Sequence, residues 1–228
     1  MKYWYLIIGF GISFFTFSQN DSVNNIGYKR YFEDQFYMGI TYNFVRNTPE
    51  GLLQRNLSYG LQAGIIKDIP LNKMGTRAIG IGLGLGLNTY YTNLAVSETS
   101  NGFNYELDDG RLNFKRSKLE THLLEVPLEF RWRNSTPYEY RFWRVYAGFK
   151  AAYVIGARSK LVTNDYKDGF YNTDVNNFQY GLTFNFGYNT FNIHTYYSLS
   201  DLFNNNALLD GAPIAIRPLR IGFIFYIL

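Results

Sequence analysis

The sequence predicts an all-β protein: an eight-stranded antiparallel transmembrane β-barrel behind a cleaved N-terminal signal peptide. Three observations carry this expectation. Apolar and polar side chains alternate with a period of two through most of the 228 residues, the pattern of strands with two different faces. The first residues have the form of a secretion signal. The connections between alternating segments are long and short in turn, as at the two rims of a membrane barrel.

Aromatic residues make up 19% of the chain, with 21 Tyr and 20 Phe, yet the mean hydropathy is only −0.20. Alternation explains both, because polar positions offset apolar ones. The absence of Cys excludes disulfides and thiol chemistry. Two histidines, His122 and His194, are a poor inventory for zinc. The formal net charge of +4 is spread along the chain, which argues against nucleic acid as a partner. No cofactor is expected.

At the N-terminus, Lys2 precedes an apolar, aromatic run from Tyr3 to Phe17. Thr16-Phe17-Ser18 places small residues where a signal peptidase reads them, so cleavage is expected after Ser18. Residues 1–18 are then a signal peptide, 19–33 a periplasmic segment and 34–228 the barrel. The run is too short for a membrane anchor, and the polar "QNDSVNN" follows it at once. Downstream, no apolar stretch is long enough for a spanning helix.

The strands follow in order. "QFYMGITYNF" sets Phe36, Met38, Ile40, Tyr42 and Phe44 against Gln35, Tyr37, Gly39, Thr41 and Asn43. "LSYGLQAGI" sets Leu57, Tyr59, Leu61, Ala63 and Ile65 against Ser58, Gly60, Gln62 and Gly64. The third strand, "AIGIGLGLGLN", alternates aliphatic residues with Gly80, Gly82, Gly84 and Gly86. It lacks the G-x-G-x-x-G spacing and following helix of a nucleotide loop. Four glycines would weaken an ordinary soluble strand. In a narrow barrel the aliphatics face lipid, and the glycines leave lumen space for bulky neighbours. "LLEVPLEFRWR" and "VYAGFKAAYVIG" continue the pattern, then "FQYGLTFNFG", "FNIHTYYSL" and "RIGFIFYIL". Each is near the roughly 9–11 residues that cross a membrane as tilted β.

Long connections are expected between strands 1–2, 3–4, 5–6 and 7–8, facing outside the cell, with "GYNT" among the short periplasmic turns. Tyr90, Tyr91, Trp132, Trp143, Phe170, Tyr171 and Tyr188 fall near strand ends and suit interfacial girdles. The last strand carries Arg220, Gly222, Phe225 and Ile227, which match the C-terminal signal read by outer-membrane barrel-assembly machinery. Leu228 is one residue beyond the usual end of that signal.

The polar faces supply the candidate chemistry. Glu125, Glu129, Arg131 and Arg133 share a face of strand 4. Folding strand 5 back at Pro137–Tyr138 sets Lys150 opposite Pro127, between the two glutamates. His194 and Tyr196 come from strand 7, and Arg220 from strand 8. Glu125, Glu129, Arg131, Lys150, His194 and Arg220 are expected to form a balanced structural charge cluster that plugs the lumen. A proton path or acid–base carboxylate pair is the alternative. His194 and Ser198, four residues apart on one strand, stand about 13 Å from one another, too far for a base and its nucleophile. Asp165, Asp168 and Asp174 lack the EF-hand order and are expected in a solvated loop. Arg131, Arg133, Arg141 and Arg144 bracket the turn "NSTPYEY", where they could meet lipid phosphates, a protein partner or only water.

"LETHLLEVPLEFRWR" followed by "FWRVYAGFKAAYVIG" resembles the PorT-like outer-membrane barrel family of Bacteroidota, in which a Leu-Glu-(Ile/Val)-Pro-Leu strand precedes one ending in a Gly-rich apolar run. Glu125, Val126, Pro127 and Leu128 carry the match. The resemblance implies an outer-membrane barrel over roughly residues 30–228. It also implies a link to type IX secretion, the export route behind gliding, and carries over no catalytic residue. The expected function is that of a non-enzymatic accessory subunit of a protein-export machine. The alternatives are a subunit of the barrel-assembly machine and a surface adhesion or ligand-binding barrel. Expected partners are outer-membrane lipid and other outer-membrane or periplasmic proteins.

Overall fold

A computed structural model describes residues 34–100, 102–108, 114–134, 143–164, 166–189 and 191–227. The expected signal peptide, the periplasmic segment, the Pro137–Tyr138 turn, Arg141, Asp165 and Leu228 lie outside the described residues.

The elements in chain order are β1 (Asp34–Phe44), β2 (Tyr59–Pro70), β3 (Arg77–Thr92), β4 (Leu94–Thr99), β5 (Gly102–Leu107), β6 (Phe114–Arg133) and β7 (Trp143–Thr163). They continue with β8 (Lys167–Tyr171), β9 (Phe178–Tyr188), β10 (Phe191–Ser198), β11 (Leu208–Leu209), β12 (Ala212–Pro213) and β13 (Leu219–Ile227). Eight of them, β1, β2, β3, β6, β7, β9, β10 and β13, pair antiparallel with their neighbours, and β13 returns to β1. Closure leaves no sheet edge in the hydrocarbon, where an unpaired backbone group has no water to bond. All eight expected strands are present.

The outer wall is apolar across the membrane. Phe36, Met38, Ile65, Leu85, Leu128, Phe184 and Phe223 are all exposed on it. The glycines of β3 face inward, and each vacates space that another side chain fills. A Cβ at Gly84 would lie 2.0 Å from the Tyr37 hydroxyl, and one at Gly86 would lie 2.8 Å from Glu125 Oε1. At Gly80 it would meet Arg131 Nε at 2.8 Å.

The strands depart from expectation at the long-loop end. β6 and β7 run 20 and 21 residues, about twice the length that a tilted crossing needs. A β-bulge falls where His122 pairs with Gly156 and Leu123 with Val154, leaving Ile155 as the extra residue. Above it the outer face turns polar, with Lys118, Glu120 and Arg158. The long connections are also structured. β4 and β5 form a hairpin, β8 pairs with β7, and β11 with β12. They fold over the barrel mouth as a lid.

Candidate functional site

The lumen has two zones. In the half toward the short turns it is ionic. Arg131 Nη1 donates to Asp68 Oδ1 at 2.6 Å and to Gln35 Oε1 at 3.0 Å, while Nε donates to Glu129 Oε2 at 3.0 Å. Arg133 Nη1 donates to the other Asp68 oxygen at 2.9 Å, and its Nε to the Gly75 carbonyl at 2.8 Å. Lys150 Nζ donates to Glu125 Oε2 at 2.8 Å and Gln62 Oε1 at 2.5 Å. Arg220 Nη1 reaches the other Glu125 oxygen at 3.5 Å.

Among the described residues of this half, five buried cations, Arg131, Arg133, Arg144, Lys150 and Arg220, lie with three buried carboxylates, Asp68, Glu125 and Glu129; Asp108 and Asp174 are buried toward the long loops. This half therefore carries a local excess of buried cations among the described residues. Tyrosine rings help to offset it. The Arg131 guanidinium lies 4.4 Å from the Tyr146 ring centroid and 5.0 Å from that of Tyr226. Arg220 lies 4.2 Å from the Tyr196 ring. A ring face is electron-rich and attracts a desolvated cation.

The structure brings together the six expected charge-cluster residues, with a changed pairing. Lys150 stands opposite Pro127 in register, as expected. Its ion pair is with Glu125 alone; Glu129 belongs to Arg131 and also accepts from Asn185 Nδ2 at 3.2 Å. Arg131 reaches over Gly80 of β3 to Asp68 on β2 and fills the space beside Glu129. Arg133 and Arg144 are buried rather than part of an exposed rim. Asp68 was missed because Ile66 points inward and Lys67 outward, reversing the apolar-out pattern that marked the rest of β2. His194 Nδ1 lies 2.5 Å from Asn185 Oδ1, and Ser198 Oγ donates to the Ser200 carbonyl at 2.9 Å. They do not meet each other.

In the half toward the long loops an apolar cluster fills much of the interior, beside buried polar residues such as Thr121 and Ser159. Leu119, Leu123, Val154 and Ala157 on the barrel wall pack with Leu94, Val96, Val175, Leu202, Ile214 and Ile216 of the lid. Tyr90 and Phe170 are in this cluster, which removes them from the expected girdle. Each faces inward, Phe170 stacking on Phe103 at 5.3 Å. Trp132, Trp143 and Tyr188 do lie exposed on the outer wall, and Trp143 stacks on Phe186 at 5.3 Å. The segment expected as a solvated loop is packed only in part: Asp168 is exposed, as expected, while Phe170, Asn172 and Asp174 are buried. Asp174 is buried and accepts from the Tyr105 hydroxyl at 3.0 Å. Burial pushes the Tyr105 ionisation above its ordinary value.

Two small voids lie in the interior among the described residues. A void of about 10 Å³ lies beside Tyr37, Lys150 and His194, and one of about 20 Å³ lies under the lid beside Tyr90 and Leu202. Neither has room for more than about one water molecule.

A family model described as an outer membrane protein beta-barrel domain matches residues 17–204. The chain belongs to this family. This outer-membrane barrel is similar to two solved barrels in fold alone. One is Ail, the attachment invasion locus protein of Yersinia pestis, at 12% identity over 85% of this chain and 97% of that one, with a TM-score of 0.37. The other is a triple mutant of Rhodopseudomonas blastica porin, at 12% identity over 86% and 100%, with a TM-score of 0.16. No curated protein sequence matches the barrel. The Arg220, Gly222, Phe225 and Ile227 pattern lies on β13, with Arg220 in the lumen and Ile227 on the outer wall.

Proposed function

We propose that the protein is a non-conducting, non-enzymatic outer-membrane barrel that acts by contact, as an accessory subunit of a protein-export machine of the type IX kind. The filled lumen carries this reading. Ionic packing occupies one half and an apolar lid the other, so neither a polypeptide nor a substrate has a path. Work must then be done by the outer wall, the rims or the lid. The export role draws on the resemblance of the Glu125–Leu128 strand to the PorT-like family. In this reading the long loops face outside, residues 1–18 are removed, and 19–33 lie in the periplasm. Arg220, Gly222, Phe225 and Ile227 serve as the assembly signal.

A second reading, surface attachment through the lid, is favoured by the exposed Tyr166 and Leu53 at the long-loop end. Co-purification from mildly solubilised native membranes, paired with deletion, separates the readings. Export components should co-purify, and deletion should abolish release of secreted proteins while other outer-membrane barrels still assemble. Capture of barrel-assembly proteins, with general loss of outer-membrane proteins, would contradict this. Loss of surface attachment alone would favour the second reading.

A further inference from the structure

The outer wall changes chemistry within a few cross-strand rows. Met38, Ala63, Leu85, Leu124 and Tyr153 are successive neighbours from β1 to β7. The next row toward the lid is Ile40, Leu61, Leu87, His122 and Gly156. Ala63 is short where its neighbours are long. A groove of about 510 Å³ runs there, lined by Ile40, Leu61, Leu85, Leu87 and Ile155 and reaching His122.

Toward the lid from the β6–β7 end of the groove the wall is cationic. Lys118 on β6 pairs in register with Lys160 on β7, and Glu120 with Arg158. Like charges placed opposite each other across strands destabilise a sheet. Lys118 is bonded to Glu120, which His122 shares at 3.2 Å. Among the described residues, no ion pair neutralises Lys160 or Arg158. Gly169 stands beside Lys160 on β8, and the Arg158 guanidinium lies over it, 3.4 Å from where a Cβ would be. Arg116 and Lys167 extend the patch. Among the described residues, Glu120 is the carboxylate bonded within this patch.

We propose that this wall binds a phosphorylated, acylated glycolipid of the outer leaflet, with a phosphate between Lys118 and Lys160 and an acyl chain in the groove. A phosphate there converts the opposed lysines from a repulsive pair into two charge-assisted partners. The groove beneath takes hydrocarbon at the depth where the wall is apolar. The inference rests on the reading that the long loops face outside, which places the patch at the glycolipid leaflet.

The test uses the full barrel in nanodiscs and native mass spectrometry, with purified lipid A, dephosphorylated lipid A and phosphatidylglycerol as probes. Lipid A should be retained and the other two should not. The combined substitutions Lys118→Gln, Arg158→Gln and Lys160→Gln should weaken retention about a hundredfold. The barrel's heat-dependent gel mobility should be unchanged, because these side chains are outside the packed interior. Ala63→Phe, which fills the groove and keeps every charge, should also weaken retention. Unchanged retention in both variants would overturn the proposal, as would equal retention of dephosphorylated lipid A. Phosphatidylglycerol held as tightly as lipid A would overturn the assignment to a glycolipid. Asn104→Cys should label from outside intact cells. Labelling only from the periplasm would place the error in the orientation and would also overturn the glycolipid assignment.

Discussion

The two halves of the interior are built on different principles. Toward the short turns, Arg131, Asp68, Glu129, Lys150 and Glu125 are held by ion pairs and hydrogen bonds along and between the strands of the wall. Toward the long loops, Leu123, Val154, Leu202 and Ile216 are held by apolar contact between barrel wall and lid. On β6 the change falls between Glu125 and Leu123, and on β7 between Lys150 and Ala152. The ionic half belongs to the closed sheet itself, so damage there should destabilise the whole barrel. The apolar half joins the sheet to separate loops, so damage there should open the lid and leave the barrel standing.

The largest effect is expected from Arg131→Met, which strands Glu129 as a buried carboxylate and leaves Asp68 with Arg133 alone. Breaking such a group costs about 3–5 kcal/mol, and the barrel should lose its heat-resistant gel mobility at a markedly lower temperature. Lys150→Met should do less, because Arg220 still faces Glu125. Glu125→Gln should recover much of that loss, and Glu129→Gln should not. Recovery by Glu129→Gln instead would break the assigned pairing.

Gly84→Ala comes next, since its Cβ would overlap the Tyr37 hydroxyl. Overpacking of this kind costs roughly 1–3 kcal/mol, and Tyr37→Phe in the same chain should recover part of it. In the lid, Leu202→Ala removes a fully buried side chain, a loss of about 2–5 kcal/mol locally. Protease should then cut the long loops while the barrel's gel mobility stays unchanged. A barrel that melts with its lid would show that the halves are one cooperative unit.

The smallest effect is a pH dependence of the lid. Tyr105 keeps its proton in the folded lid above its ordinary value of 10.0. The unfolded lid gives that proton up first, so lid stability should fall as pH rises above about 10. Proteolysis should rise over that window, and Tyr105→Phe should abolish the pH response.

The ionic half was partly legible in the sequence because its residues sit on regular strands. Period-two alternation assigned Glu125, Glu129, Arg131 and Lys150 to one face, and register alone set Lys150 opposite Pro127. Their partners were not legible. Arg131 reaches Asp68 and Gln35 two and three strands away, over the glycine face of β3, and such contacts depend on register through several strands rather than on local spacing. The lid was illegible for a different reason. Leu52, Val175, Leu202 and Ile214 lie in irregular segments with no period to mark a buried face. Tyr90 and Phe170 looked interfacial because position near a strand end does not say which way a side chain points.

Both halves lead to one claim: the interior is closed from end to end. Planar-bilayer recording of the purified barrel tests it most directly. No steady conductance is expected, because an eight-stranded barrel is only wide enough for side chains to fill. Steady porin-sized currents from the unmodified protein would contradict it.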